Sequence, residues 1–123
     1  MQLLYVDDDR VNLLLFEAAC QALPGLQVAT AASADEALAC VHTVQPDVLV
    51  IDLHLPDLDG LALLRALRAS AGLDATPAFL CSADDDATLP ARALAAGFSG
   101  CWSKPLDQAQ LAGALAALPR PGR

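Results

Sequence analysis

The chain is 123 residues long, enough for one hydrophobic core and one domain. Apolar residues make up 55% of it and aromatic ones only 4%, so the core must be built from Leu, Val and Ala. A net charge of −8 and a pI near 4.3 exclude the basic patches that self-sufficient nucleic-acid binding needs, and disfavour docking on anionic membranes.

Apolar periodicity alternates between short strand-like runs and longer helical ones. In chain order it predicts a strand over Gln2–Val6, a helix over Val11–Leu23, a strand over Leu26–Thr30 and a helix over Ala34–Thr43. There follow a strand over Asp47–Asp52, a helix over Asp59–Ser70, a strand over Pro77–Ser82 and a helix over Ala87–Ala96. The last pair is a strand over Gly100–Ser103 and a helix over Asp107–Leu118. Ser33 with Glu36 has the spacing of a capping box, and Asp107 with Gln110 repeats it. Gly25, Gly72 and Gly97 follow helical segments, where a left-handed residue ends a helix. Pro90 suits the first turn of the fourth helix, and the acid run Asp84-Asp85-Asp86 reads as its cap. Leu111, Leu115 and Leu118 recur at helical spacing and should face the sheet.

Strands alternating with helices imply an α/β fold, a doubly wound parallel sheet with right-handed crossovers. The expected class is the flavodoxin-like (βα)5 arrangement with strand order 2-1-3-4-5, whose crevice lies between strands 1 and 3. Residues 1–118 form the domain, and 119–123 (Pro-Arg-Pro-Gly-Arg) read as a tail or linker stub. No basic segment precedes an apolar one at the N-terminus, and no apolar run approaches the roughly 20 residues that span a bilayer. Cys20, Cys40, Cys81 and Cys101 lie in apolar segments without a CxxC pair, which reads as reduced, buried thiols of a cytoplasmic protein.

The chemistry lies at the strand ends. Asp7, Asp8 and Asp9 follow the first strand, Asp52 ends the third, and Lys104, the only lysine, follows the fifth. Clustered carboxylates repel one another, a penalty that a hard dication with oxygen ligands such as Mg²⁺ removes. An ammonium on a long stem suits a phosphoryl oxygen or a carboxylate cluster. Together these groups point to phosphoryl chemistry with a divalent cation. Asp8, Asp52 and a backbone carbonyl just past Asp52 are candidate ligands, with Asp7 acting through water.

In this order and spacing, four stretches resemble the receiver domain of two-component response regulators. They are Leu-Leu-Tyr-Val-Asp-Asp-Asp (3–9), Pro-Asp-Val-Leu-Val-Ile-Asp-Leu-His-Leu-Pro-Asp-Leu-Asp-Gly (46–60), Leu-Cys-Ser-Ala (80–83) and Ser-Lys-Pro-Leu (103–106). The resemblance covers essentially the whole chain, and residues 97–107 look much like receivers attached to hybrid histidine kinases. It implies that Asp52 accepts a phosphoryl group from a phosphohistidine on a sensor histidine kinase or a histidine phosphotransfer protein. It further implies that Asp7, Asp8, Asp52 and the main-chain carbonyl of His54 hold Mg²⁺. Ser82 would be the hydroxyl switch residue, and Lys104 would pair with a phosphoryl oxygen before a cis bond to Pro105. Pro56 and Gly60 match the loop after the phosphoacceptor. Such a domain is not an enzyme acting on outside substrates; it modifies itself, then controls a downstream protein, and a homodimer is compatible with it.

One family position departs. Receivers usually carry Tyr or Phe three residues before the lysine, where this chain has Cys101. The only tryptophan, Trp102, follows it and by alternation faces the other side of the sheet, so it cannot replace the missing ring. His54 and Asp84 each lie two residues past a site residue, and should approach each other over the site and alter the acyl phosphate's lifetime. His42, late in the second helix, reads as a surface residue. Two competing readings remain. A haloacid-dehalogenase-like phosphatase wants a second Asp where His54 stands, and normally a longer chain with a cap. A phosphorylation-independent adaptor would use the fold only to bind protein; Cys101 favours it, while the retained acids and lysine oppose it.

Overall fold

The computed structural model describes residues 1–104 and 108–118. The expected cis bond at Pro105 and the Asp107–Gln110 cap lie outside the described residues. Five strands, β1 (Gln2–Val6), β2 (Gln27–Ala31), β3 (Val48–Asp52), β4 (Ala78–Ser82) and β5 (Gly100–Ser103), form one parallel sheet. They alternate with α1 (Arg10–Gln21), α2 (Ala34–Cys40), α3 (Gly60–Ala71), α4 (Leu89–Ala96) and α5 (Gln108–Ala116). The strand order is β2-β1-β3-β4-β5, the flavodoxin-like arrangement expected from the sequence.

β3 and β4 are buried at every position, as is most of β1, which explains why they read as continuous apolar runs. Alternation divides their side chains between two cores. Leu4, Val6, Leu49, Ile51, Ala78 and Leu80 pack against α2, α3 and α4. Leu3, Tyr5, Val48, Val50, Phe79, Cys81 and Trp102 pack on the other face with Phe16 of α1 and Leu111 of α5. Leu115 and Leu118 pack there too, half-buried. Cys101 and Trp102 therefore face opposite sides, as alternation requires.

Most element ends move by one to three residues from the predicted ones, and at α1 and α2 the cause is local. Asp9 caps α1 by accepting the Val11 and Asn12 N–H groups, so the helix starts one residue early. Past Cys40 the chain closes turns from His42 to Ala39 and from Thr43 to Cys40, so His42 is exposed just beyond α2 rather than within it. The acid run does not cap α4. Its N-cap is Thr88, without a side-chain bond to the helix, and Asp86 lies two residues earlier, accepting from the Thr88 N–H and hydroxyl. Ser33 does cap α2, and Pro90 does sit in the first turn of α4. Gly97 ends α4 at φ 104°, a conformation that a side chain would strain. No helix among the described residues is long and apolar enough to cross a membrane.

Candidate functional site

Parallel pairing places Val6 beside Ile51 and Asp52 beside Cys81, so the ends of β1, β3 and β4 open on one crevice. The aspartate triplet divides its work there. Asp7 is fully buried, Asp8 is exposed, and Asp9 turns away to cap α1. Asp7, Asp8 and Asp52 each offer a carboxylate oxygen, and these three atoms lie within 4.8 Å of one another. Hard oxygen donors this close, two of them buried, fit a dication such as Mg²⁺.

Lys104 crosses from the end of β5 to join these acids. Its ammonium donates to Asp7 Oδ2 at 2.6 Å and lies 3.0 Å from Asp52 Oδ1. Asp7 has two further donors, the Tyr5 hydroxyl at 2.6 Å on Oδ2 and the Asp9 N–H at 3.0 Å on Oδ1. Burial alone would raise the Asp7 carboxyl, but the bonds from Lys104, Tyr5 and Asp9 outweigh it and hold it below the usual range. Asp52 goes the other way. Burial raises it, Lys104 opposes, and the neighbouring Asp7 and Asp8 charges add to the rise. Burial would pull the Lys104 ammonium down, yet its bonds to both acids leave it above its ordinary value. Tyr5 is pushed far up by burial and nearby anions, so its hydroxyl remains a donor.

Ser82 is buried at the end of β4, and its hydroxyl accepts the Asp84 N–H at 2.9 Å. Main-chain bonds from Leu53 to Cys81 and from Lys104 to Ser82 carry the pairing past the strand ends and align the three loops. His54 Nε2 lies 2.7 Å from Asp84 Oδ2, so the expected approach of these two residues is present, linking the loops after β3 and β4 at an exposed position. Cys81 lies beneath the site, and burial pushes its thiol well up, leaving it protonated and unreactive.

Two residues anchor the loop after Asp52, and a reading of the sequence misses the first. Asp57 spans to α2 and accepts the Ala34 and Asp35 N–H groups, both at 3.0 Å, one on each oxygen. Gly60 returns its N–H to the Leu53 carbonyl at 2.8 Å, and a Cβ there would overlap the Asp52 carbonyl oxygen. The match at Gly60 thus has a steric cause: only glycine lets α3 start so close behind Asp52.

Comparison with known proteins agrees with this geometry. Residues 3–116 match the family model of the response regulator receiver domain. The transcriptional regulatory protein TrcR of Mycobacterium tuberculosis is 34% identical over 120 residues, covering 98% of this chain and 46% of that protein. The chain spans about half the length of the regulators it matches. The receiver domain of the Francisella response regulator 1452 superposes with a TM-score of 0.82 at 29% identity, over 94% of this chain and 93% of that one. The chemotaxis response regulator CheY4 of Vibrio cholerae does so at 0.82 and 26%, over 94% and 95%.

Proposed function

Because the chain belongs to the response regulator receiver domain family, we propose that it accepts a phosphoryl group from a phosphohistidine onto Asp52 and answers by a shift in the loops around the site. The observation that supports this best is Lys104 held between Asp7 and Asp52, with Asp8 alongside. A carboxylate nucleophile needs no general base. An Asp52 oxygen forms the new P–O bond as the donor's P–N bond breaks, and the imidazole leaves with that electron pair. Catalysis is then positioning and charge neutralisation, because the transition state is loose.

Asp7, Asp8, Asp52 and the main-chain carbonyl of His54 would hold Mg²⁺, which offsets the carboxylate repulsion and the charge on the phosphoryl oxygens. Lys104, already on Asp52, needs only to re-aim its ammonium to meet a phosphoryl oxygen. Ser82 would exchange its bond from the Asp84 N–H for one to another such oxygen, carrying the loop after β4 with it. His54 and Asp84 close one side of the crevice and would set how readily water reaches the acyl phosphate.

The domain modifies itself and is not an enzyme on outside substrates. Its donor would be a sensor histidine kinase or a histidine phosphotransfer protein, and its read-out a downstream protein or a second copy, in the cytoplasm. The acidic surface argues against direct contact with nucleic acid or membrane. We take residues 1–118 as this unit and 119–123 as its tail. A phosphorylation-independent adaptor is the second reading, favoured by Cys101 at the family's usual aromatic position. Incubation with a small-molecule phosphodonor, with and without Mg²⁺, separates the two. Labelling that needs both Mg²⁺ and Asp52 supports the receiver; a folded, Mg²⁺-binding protein that takes no label supports the adaptor.

A further inference from the structure

Tyr5 is a polar side chain in contact with the site that the phosphoryl chemistry leaves unused. It is 1% exposed, and its ring stacks on Phe16 with centroids 4.1 Å apart. Residues two apart on a strand share a face, so β1 delivers the phenol to the carboxylate of Asp7. The hydroxyl donates to Oδ2 at 2.6 Å, the same oxygen that Lys104 reaches at 2.6 Å. Asp7 therefore has two fixed donors, Tyr5 and the Asp9 N–H, on different oxygens, and one movable donor. Lys104 is divided between Asp7 and Asp52, and in the receiver reading it turns to a phosphoryl oxygen.

We propose that Tyr5 is a positioning residue for the divalent cation, its hydroxyl holding Asp7 Oδ2 in place so that Lys104 is free to leave it. The inference rests on the receiver reading for its cation. Without the hydroxyl, a buried carboxylate oxygen keeps Lys104 as its only donor. Either the ammonium stays and repels the dication, or it leaves and the carboxylate turns. Both outcomes weaken cation binding. Tyr5→Phe tests this cleanly, because it removes one oxygen and keeps the ring on Phe16.

The probe is Mn²⁺, with free ion followed by electron paramagnetic resonance, on the wild type, Tyr5→Phe, Lys104→Met and the double variant. Tyr5→Phe should bind roughly tenfold more weakly, as loss of a ligand-orienting partner does, without losing its fold in a thermal melt. The loss should be larger still in the Lys104→Met background, where Oδ2 then has no donor. A dissociation constant within about twofold of the parent in both backgrounds, or an equal loss in both, would overturn the shared-oxygen account. Should Tyr5→Phe fail to fold, the wild type still decides. Tyr5 is the only tyrosine, so a ¹³Cζ label gives one resonance. It should shift as Mg²⁺ is added, and an unmoved resonance at saturation overturns the proposal. Wild-type protein that binds no Mn²⁺ would overturn the receiver reading as well; normal wild-type binding with an indifferent Tyr5 overturns this inference alone.

Discussion

The crevice at the ends of β1 and β3 and the edge formed by β5 and α4 are built on opposite principles. In the crevice the buried charges depend on one another: Lys104, Tyr5 and the Asp9 N–H hold the Asp7 carboxyl below its usual range, and the two acids hold the Lys104 ammonium above its own. At the edge the contacts are ordinary apolar packing. Cys101 lies among aliphatic side chains, Trp102 stacks on Phe79 across the sheet, and Leu94 of α4 stands 61% exposed. Loss of one interdependent charge alters the chemistry of the others, whereas a side-chain change at a packed edge leaves that chemistry alone. In the proposed reading, accepting a phosphoryl group at the crevice would therefore be separable from changes at this edge.

The largest effects should come from the crevice. Asp52→Ala should abolish labelling by a phosphodonor, because no other carboxylate lies so close to Lys104 without already carrying three donors. Lys104→Met should slow labelling on the order of a hundredfold, the usual cost of losing one group that neutralises transition-state charge. Quench-flow or gel-based labelling reads both.

A pH series sharpens the contrast between the two acids. Asp52 is raised in the fold, so its ionised form costs stability at neutral pH, and that cost fades as pH falls. Asp7 is lowered, so its contribution is present above about 3.8 and is lost as pH drops through its folded value. Melting temperature should hold or rise on mild acidification and then fall steeply. Asp52→Asn should melt higher than the wild type at neutral pH and lack the initial rise.

Smaller effects lie at the rim. His54→Ala should change the lifetime of the phosphorylated form several-fold without stopping labelling, measured as loss of label after donor removal. An unchanged lifetime in His54→Ala and Asp84→Ala would leave the pair as a loop tether only. Cys101→Phe should be the mildest for the chemistry, leaving labelling within about twofold. Its melt should show about 1–3 kcal/mol of overpacking at a half-buried site.

β1, β3 and β4 were legible in the sequence because strands buried on both faces read as unbroken apolar runs, the first two running into Asp7 and Asp52 and the third ending in Ser82. The His54–Asp84 approach was legible too, since neighbouring parallel strands put equivalent loop positions side by side. Tyr5 was not. An aromatic in an apolar run reads as core, and only its hydroxyl's partner distinguishes it. Asp57 bonds to residues 23 and 22 positions earlier, and Arg68 gathers the carbonyls of Leu73, Asp74, Thr76 and Gly97 from two loops. Such contacts belong to tertiary structure, and no local pattern announces them. The acid run before α4 failed as a cap because Thr88, two residues later, starts the helix.

Asp52 is the residue we propose takes the phosphoryl group. Borohydride reduces an aspartyl phosphate to the homoserine side chain, which peptide mass spectrometry locates to one residue. After phosphodonor and Mg²⁺ treatment, homoserine should appear at position 52 and at neither 7 nor 8. Reduction at Asp7 or Asp8, or label that resists borohydride altogether, would rule Asp52 out as the acceptor.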